Sequence, residues 1–258
     1  MYSESIVLIG ASLLGAMVVS IEVGTRMGKR RAERANDAAR TQTGAIQGSI
    51  LGMLALLLGF TFSMALGRND ARAAAIVDEA NAIGTAQLRA DLLAEPYAGQ
   101  ARQLLQAYTQ ARIRAGELTL KQETKRGNLL DEASQVGAEI WALAVAAGQE
   151  DPNPVRSGLF IQAVNEMLDS FASRDAALDR HVPEPALFLL LITFVVAAGL
   201  LGYTSGLDRN RPTFAAYAMV GLIVLLVMLT LDLDRPRRGL VQVDQAPLQA
   251  LQTREQRG

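Results

Sequence analysis

From Ala45 to Leu66 the chain carries no charge, and no proline interrupts it before Pro96. About 20 apolar residues in a helix cross the hydrocarbon core of a bilayer, so this run is long enough to span one. Beyond it Ala73, Ile76, Ala80 and Ile83 recur at spacings of three and four, the period of an amphipathic helix. The spacing predicts one long helix over Thr43–Leu93, its first half in lipid and its second half outside. Three further apolar runs, Ile6–Ile21, Ala186–Leu207 and Phe214–Leu231, approach the same length. Hydrocarbon offers no partner to a backbone N–H or C=O, so each is expected to be a helix.

Composition agrees, with 50% hydrophobic residues and a mean hydropathy of +0.18 over 258 residues. A cleaved leader would carry bases before its apolar core, whereas here Glu4 precedes the first run and Arg26, Lys29, Arg30 and Arg31 follow it. The first run is therefore expected to be a retained helix. The chain has no cysteine and one histidine, which leaves nothing for disulfides or thiolate chemistry and little for zinc. Between Gly67 and Pro185 there are 12 Lys/Arg against 17 Asp/Glu, an acidic balance that argues against nucleic acid as a partner.

The segment between the second and third spans reads as helix throughout. Ala101, Leu104, Leu105, Tyr108 and Ala111 form one apolar face. Leu129, Ala133, Val136, Ile140 and Ala144 form another, and Phe160, Val164, Met167, Phe171 and Leu178 a third. Asn153 is placed to cap the last of these helices, with Pro154 in its first position. The expected architecture is all-α. Residues 1–66 hold membrane helices one and two, and 67–185 form an extramembrane bundle continuous with helix two. Residues 186–232 hold helices three and four, and 233–258 form a tail. Positive charge in the two short loops, six Lys/Arg between Gly24 and Gly44 and then Arg209 and Arg211, places those loops in the cytoplasm and the bundle outside.

Gly44, Gly48 and Gly52 give two overlapping GxxxG patterns, which flatten a helix face for close approach either within the subunit or between subunits. Phe60 and Phe62 follow, each a candidate for an apolar constriction if helix two lines a pore. Asp78, Glu79 and Asn81 are candidates for its polar mouth; the alternative is an ordinary solvated face. Asp232 ends the last span and, with Asp234 and Arg235, is read as an interfacial ion pair. His181 and Glu22 are read as interfacial groups. No nucleophile elbow, phosphate-binding loop, dinucleotide fingerprint or HExxH is present, so neither an enzyme nor a metal or cofactor site is expected.

The strings LLGFTFSMAL, VDEANAIGTAQLRADLLAEP and LDLDRPRRGL resemble a family of bacterial four-span membrane proteins described as bestrophin-like. The resemblance implies two membrane helices, a helical domain and two more membrane helices. Bestrophins are pentameric anion channels whose second membrane helix lines the pore with apolar and aromatic residues, so Phe60 and Phe62 lie on the corresponding helix. Their domain is cytoplasmic, opposite to the side favoured here by loop charge. The expectation is a homo-oligomeric channel or channel-like pore in the inner membrane, contacting lipid and ions. Its alternative is a non-conducting scaffold or envelope sensor whose bundle binds a protein. Loop charge predicts that a cysteine at Glu123 reacts with an impermeant maleimide in intact cells, and one at Ala35 only after lysis. The reverse pattern would invert the topology.

Overall fold

The computed structural model describes residues 5–118, 122–235 and 243–255. Eight helices form among them: α1 (Ile6–Arg31), α2 (Asp37–Ala90), α3 (Tyr97–Glu117), α4 (Glu123–Glu150), α5 (Ser157–Asp179), α6 (Glu184–Leu207), α7 (Phe214–Leu233) and α8 (Ala246–Glu255). The described residues contain no strand. Four helical segments are long and apolar enough to cross a membrane, namely α1, α2, the segment Ser157–Leu207 that holds α6, and α7. The protein is a multi-pass membrane protein. Its contacts divide it into two compact units, residues 1–67 with 181–235 and residues 68–180 with 236–258.

In the first unit α1 lies against α6 at backbone distance. A Cβ built on Gly24 would stand 2.0 Å from the carbonyl oxygen of Gly199, and one on Gly28 2.2 Å from that of Tyr203. In return, a Cβ on Gly202 would stand 2.1 Å from the carbonyl oxygen of Ile21, and one on Gly206 2.3 Å from that of Thr25. Lipid tails are as apolar as leucine, so helices in a bilayer associate through such close contact rather than by escape from water. Hydrogen bonds fasten the surrounding segments. Ser20 donates to the Val195 carbonyl at 2.8 Å, Thr204 to Gln47 at 2.7 Å and Arg40 to Asp208 at 2.9 Å. Helix α7 joins α1, where Met228 covers Gly10. Outward faces of α6 and α7 expose Leu189, Ile192, Leu222 and Leu225, as a lipid-facing surface requires.

The second unit has a core of alanines and larger apolar groups. Ile76, Ala80, Ile83, Ala86 and Ala90 of α2 meet Ala101, Leu105, Tyr108 and Ala111 of α3, Ala133, Ile140 and Ala144 of α4, and Phe160, Val164 and Met167 of α5. Ala73, which the period also assigned to this stripe, is exposed. Helix α5 begins at Ser157 rather than at Pro154. The Asn153 side chain accepts the Val155 N–H at 2.9 Å and so caps an isolated turn, after which Ser157 donates back to the Asn153 carbonyl at 3.0 Å. Residues 233–258, expected as a tail, instead supply α8, whose Leu248 and Leu251 are buried in this core.

The α1–α6 seam admits no added methyl group, since the nearest atoms are backbone. Gly202→Ala is expected to lower the thermal unfolding midpoint of the detergent-solubilised protein by about 5 °C, through overpacking of roughly 2 kcal/mol. Gly15→Ala, where a Cβ would meet nothing within 4 Å, is expected to leave the midpoint unchanged.

Candidate functional site

Helix α2 presents two unlike faces. Leu54, Leu58, Thr61 and Ala65 are buried, and the Thr61 hydroxyl donates back to the Leu57 and Leu58 carbonyls, each at 3.0 Å. A second face is bare: among the described residues a Cβ on Gly44, Gly48, Gly52, Gly59 or Gly67 would meet no atom within 4 Å. Ala55 and Ser63 are exposed on the same side. The GxxxG pattern of Gly44, Gly48 and Gly52 therefore packs against none of the described residues. The glycines at that spacing that do pack are Gly24 and Gly28 with Gly202 and Gly206.

Phe60 and Phe62 do not act as a pair. Side chains advance by about 100° per residue, so two residues apart they project to widely separated sides. Phe60 is 60% exposed, whereas Phe62 is half-buried. Among the expected mouth residues, Asp78 and Asn81 are exposed.

Glu79 is a correction to the pore-lining expectation, because it is fully buried in the second unit and its charge is held there. One carboxylate oxygen accepts Arg112 Nε at 2.5 Å, and the other accepts Arg174 Nη1. Arg174 Nη2 donates to Gln245 Oε1 at 2.8 Å, and the Arg112 guanidinium lies 4.3 Å from the centre of the Phe171 ring. Tyr108 packs on the same ring with centroids 6.5 Å apart. Burial, and secondarily the Glu79 charge, push the Tyr108 phenol well above its ordinary pKa. Nothing among the described residues hydrogen-bonds to that phenol oxygen.

Asp232, Asp234 and Arg235 are all buried. Asp234 Oδ2 accepts the Val182 N–H at 2.8 Å, and its carbonyl oxygen lies 3.0 Å from His181 Nδ1. The end of α7 is thus tied to the residues that precede α6. Glu22 meets the Tyr217 hydroxyl at 3.4 Å. Among the described residues no three His, Cys, Asp or Glu side chains converge to hold a metal.

Arg112 and Arg174 escaped the sequence reading although their positions carried a signal. Arg112 stands four residues after Tyr108, and Arg174 seven after Met167. Both therefore fall on faces otherwise apolar, and Glu79 likewise lies between Ile76 and Ile83. A charge on a core-facing stripe implies a buried partner.

Removing the carboxylate would leave two guanidiniums buried around a neutral group. Glu79→Gln is expected to destabilise the protein by about 3–5 kcal/mol in denaturant titrations, as for other broken buried pairs. The exposed Asp78→Asn is expected to change it by less than about 0.5 kcal/mol.

Comparison with known proteins adds one assignment. No curated protein and no solved structure matches the chain. A model of the Bestrophin-like domain matches residues 11–248, from within α1 to within α8. The chain belongs to the bestrophin-like family.

Proposed function

We propose that the protein is a homo-oligomeric ion channel, or channel-like pore, built around α2. In this reading residues 67–185 form a bundle inserted between the second and third spans, on the periplasmic side of the inner membrane. The protein carries out no catalysis. The observation that supports it is the bare small-residue face of α2, Gly44, Gly48, Gly52, Ala55, Gly59 and Ser63, which none of the described residues covers. Small residues let backbones approach closely in lipid, so this face suits contact with a neighbouring copy.

The side of α2 next to that face would then turn toward the symmetry axis. By the helical period Met53 and Phe60 share it, because the seven residues from Met53 to Phe60 make about two turns. Met53 and Phe60 are exposed apolar groups, and a ring of them would constrict a lumen by excluding water. Asp78 would put negative charge beyond that constriction and attract cations.

Ion flux into liposomes holding the purified protein tests this reading. Phe60→Ala is expected to raise flux, and Phe62→Ala to do so much less. Asp78→Lys is expected to shift selectivity toward anions, with the shift shrinking as salt screens the charge. Folded wild type and variants that all match empty liposomes would replace the channel with the scaffold reading, in which the bundle binds a protein. Anion preference in the wild type would keep the pore and overturn the role given to Asp78.

A further inference from the structure

The second unit has a half-open cavity of about 520 Å³ whose wall contains Arg72, Arg112, Arg126 and Arg174. Each of the four is at least nine-tenths buried. This concentration runs against the composition of the segment, which is acidic between Gly67 and Pro185. The bases are gathered inside, around one space.

The charges in that space do not cancel pair by pair. Glu79 is the single carboxylate shared by Arg112 and Arg174, so one positive charge of the triad is left over. Arg112, 3% exposed, donates through Nε alone, and its Nη1 and Nη2 make no hydrogen bond among the described residues. Arg174 Nε is buried and likewise without a partner. An arginine presents five N–H donors in a fixed plane, and leaving the Arg174 Nε donor unmet in the buried wall is costly. The acids of the wall, Glu117 and Asp244, are exposed and already engaged. Glu117 accepts Gln249 Nε2 at 3.2 Å, and Asp244 accepts the Ala246 N–H at 2.9 Å.

We infer that this cavity is a binding site for a small organic anion, whose carboxylate or phosphate group is received by the open guanidinium edge of Arg112. Planar guanidinium edges match such groups through paired N–H···O bonds. Apolar side chains of Ile76, Leu130 and Leu178 line the same space and would take the carbon body of the ligand. The volume lies within the range of small-molecule sites. This site is separate from the face of α2 assigned to the pore, and its failure would leave that reading untouched.

The test is equilibrium dialysis and calorimetry on the full-length protein in detergent, with citrate and inorganic phosphate as probes and choline as the control at matched ionic strength. Saturable binding of at least one anion with Kd about 1 mM or tighter is expected, and none of choline. Citrate alone binding would identify a carboxylate site, and phosphate binding a phosphate-accepting one. Arg112→Gln, which keeps the Glu79–Arg174 pair, is expected to weaken binding about tenfold or more. Leu130→Trp, which fills the cavity without removing charge, is expected to do the same and decides the matter if the arginine variant does not fold. Binding of neither anion at about 10 mM would overturn the inference. Wild-type affinity in a folded Leu130→Trp protein would also overturn it.

Discussion

A backbone surrounded by lipid must satisfy its own hydrogen bonds, and that constraint makes each of the four apolar runs a helix before any side chain is considered. It also removes the usual reason for helices to pack, since apolar side chains lose nothing by facing hydrocarbon. What remains is fit. In the first unit the fit is made by glycines, with carbonyl oxygens of Ile21, Thr25, Gly199 and Tyr203 standing where a side chain would otherwise begin. Once α1 and α6 share that seam, the polar tie between Arg40 and Asp208 and the packing of Met228 over Gly10 follow from the positions it sets.

The second unit is held by different physics. Its interfaces use alanine where the first uses glycine, and buried apolar area supplies the drive. Among those alanines stands a buried carboxylate between two guanidiniums. Well-packed apolar residues in such a place are commonly as stable or more so, because desolvating ions offsets their attraction. Stability alone therefore does not account for Glu79, Arg112 and Arg174. A cavity bordered by their unused donors gives them a use that a hydrophobic replacement could not perform.

The helical class, the four spans and most core stripes were legible because period and length determine them locally. Ile76, Leu105, Ile140 and Met167 all lie inside as their spacing requires. The fate of polar residues was less legible, since it depends on which helices meet. Glu79 and Asp78 are neighbours in sequence and look alike as candidates, yet 100° of rotation puts one in the core and the other in solvent. The start of α5 was missed by three residues because Asn153 serves an isolated turn. Helix α8 was missed because a stretch of 10 residues declares a face only when its partner is known.

The clearest case of local ambiguity is GxxxG itself. Gly24 with Gly28 and Gly44 with Gly48 have the same spacing and sit on helices that are both apolar enough to cross a membrane. Spacing alone cannot say which pair is used inside the subunit. The difference lies in what the rest of the chain offers: Gly202 and Gly206 on α6 present a complementary smooth face, and both copies of that fit are consumed by α1. Helix α7 has one glycine, Gly221, and it also meets nothing within 4 Å. With the complementary face already taken, Gly44, Gly48 and Gly52 meet nothing among the described residues. Lipid tails fill a smooth groove poorly, so in the proposed reading a neighbouring copy would cover it. That asymmetry is the support for the proposed self-association through α2.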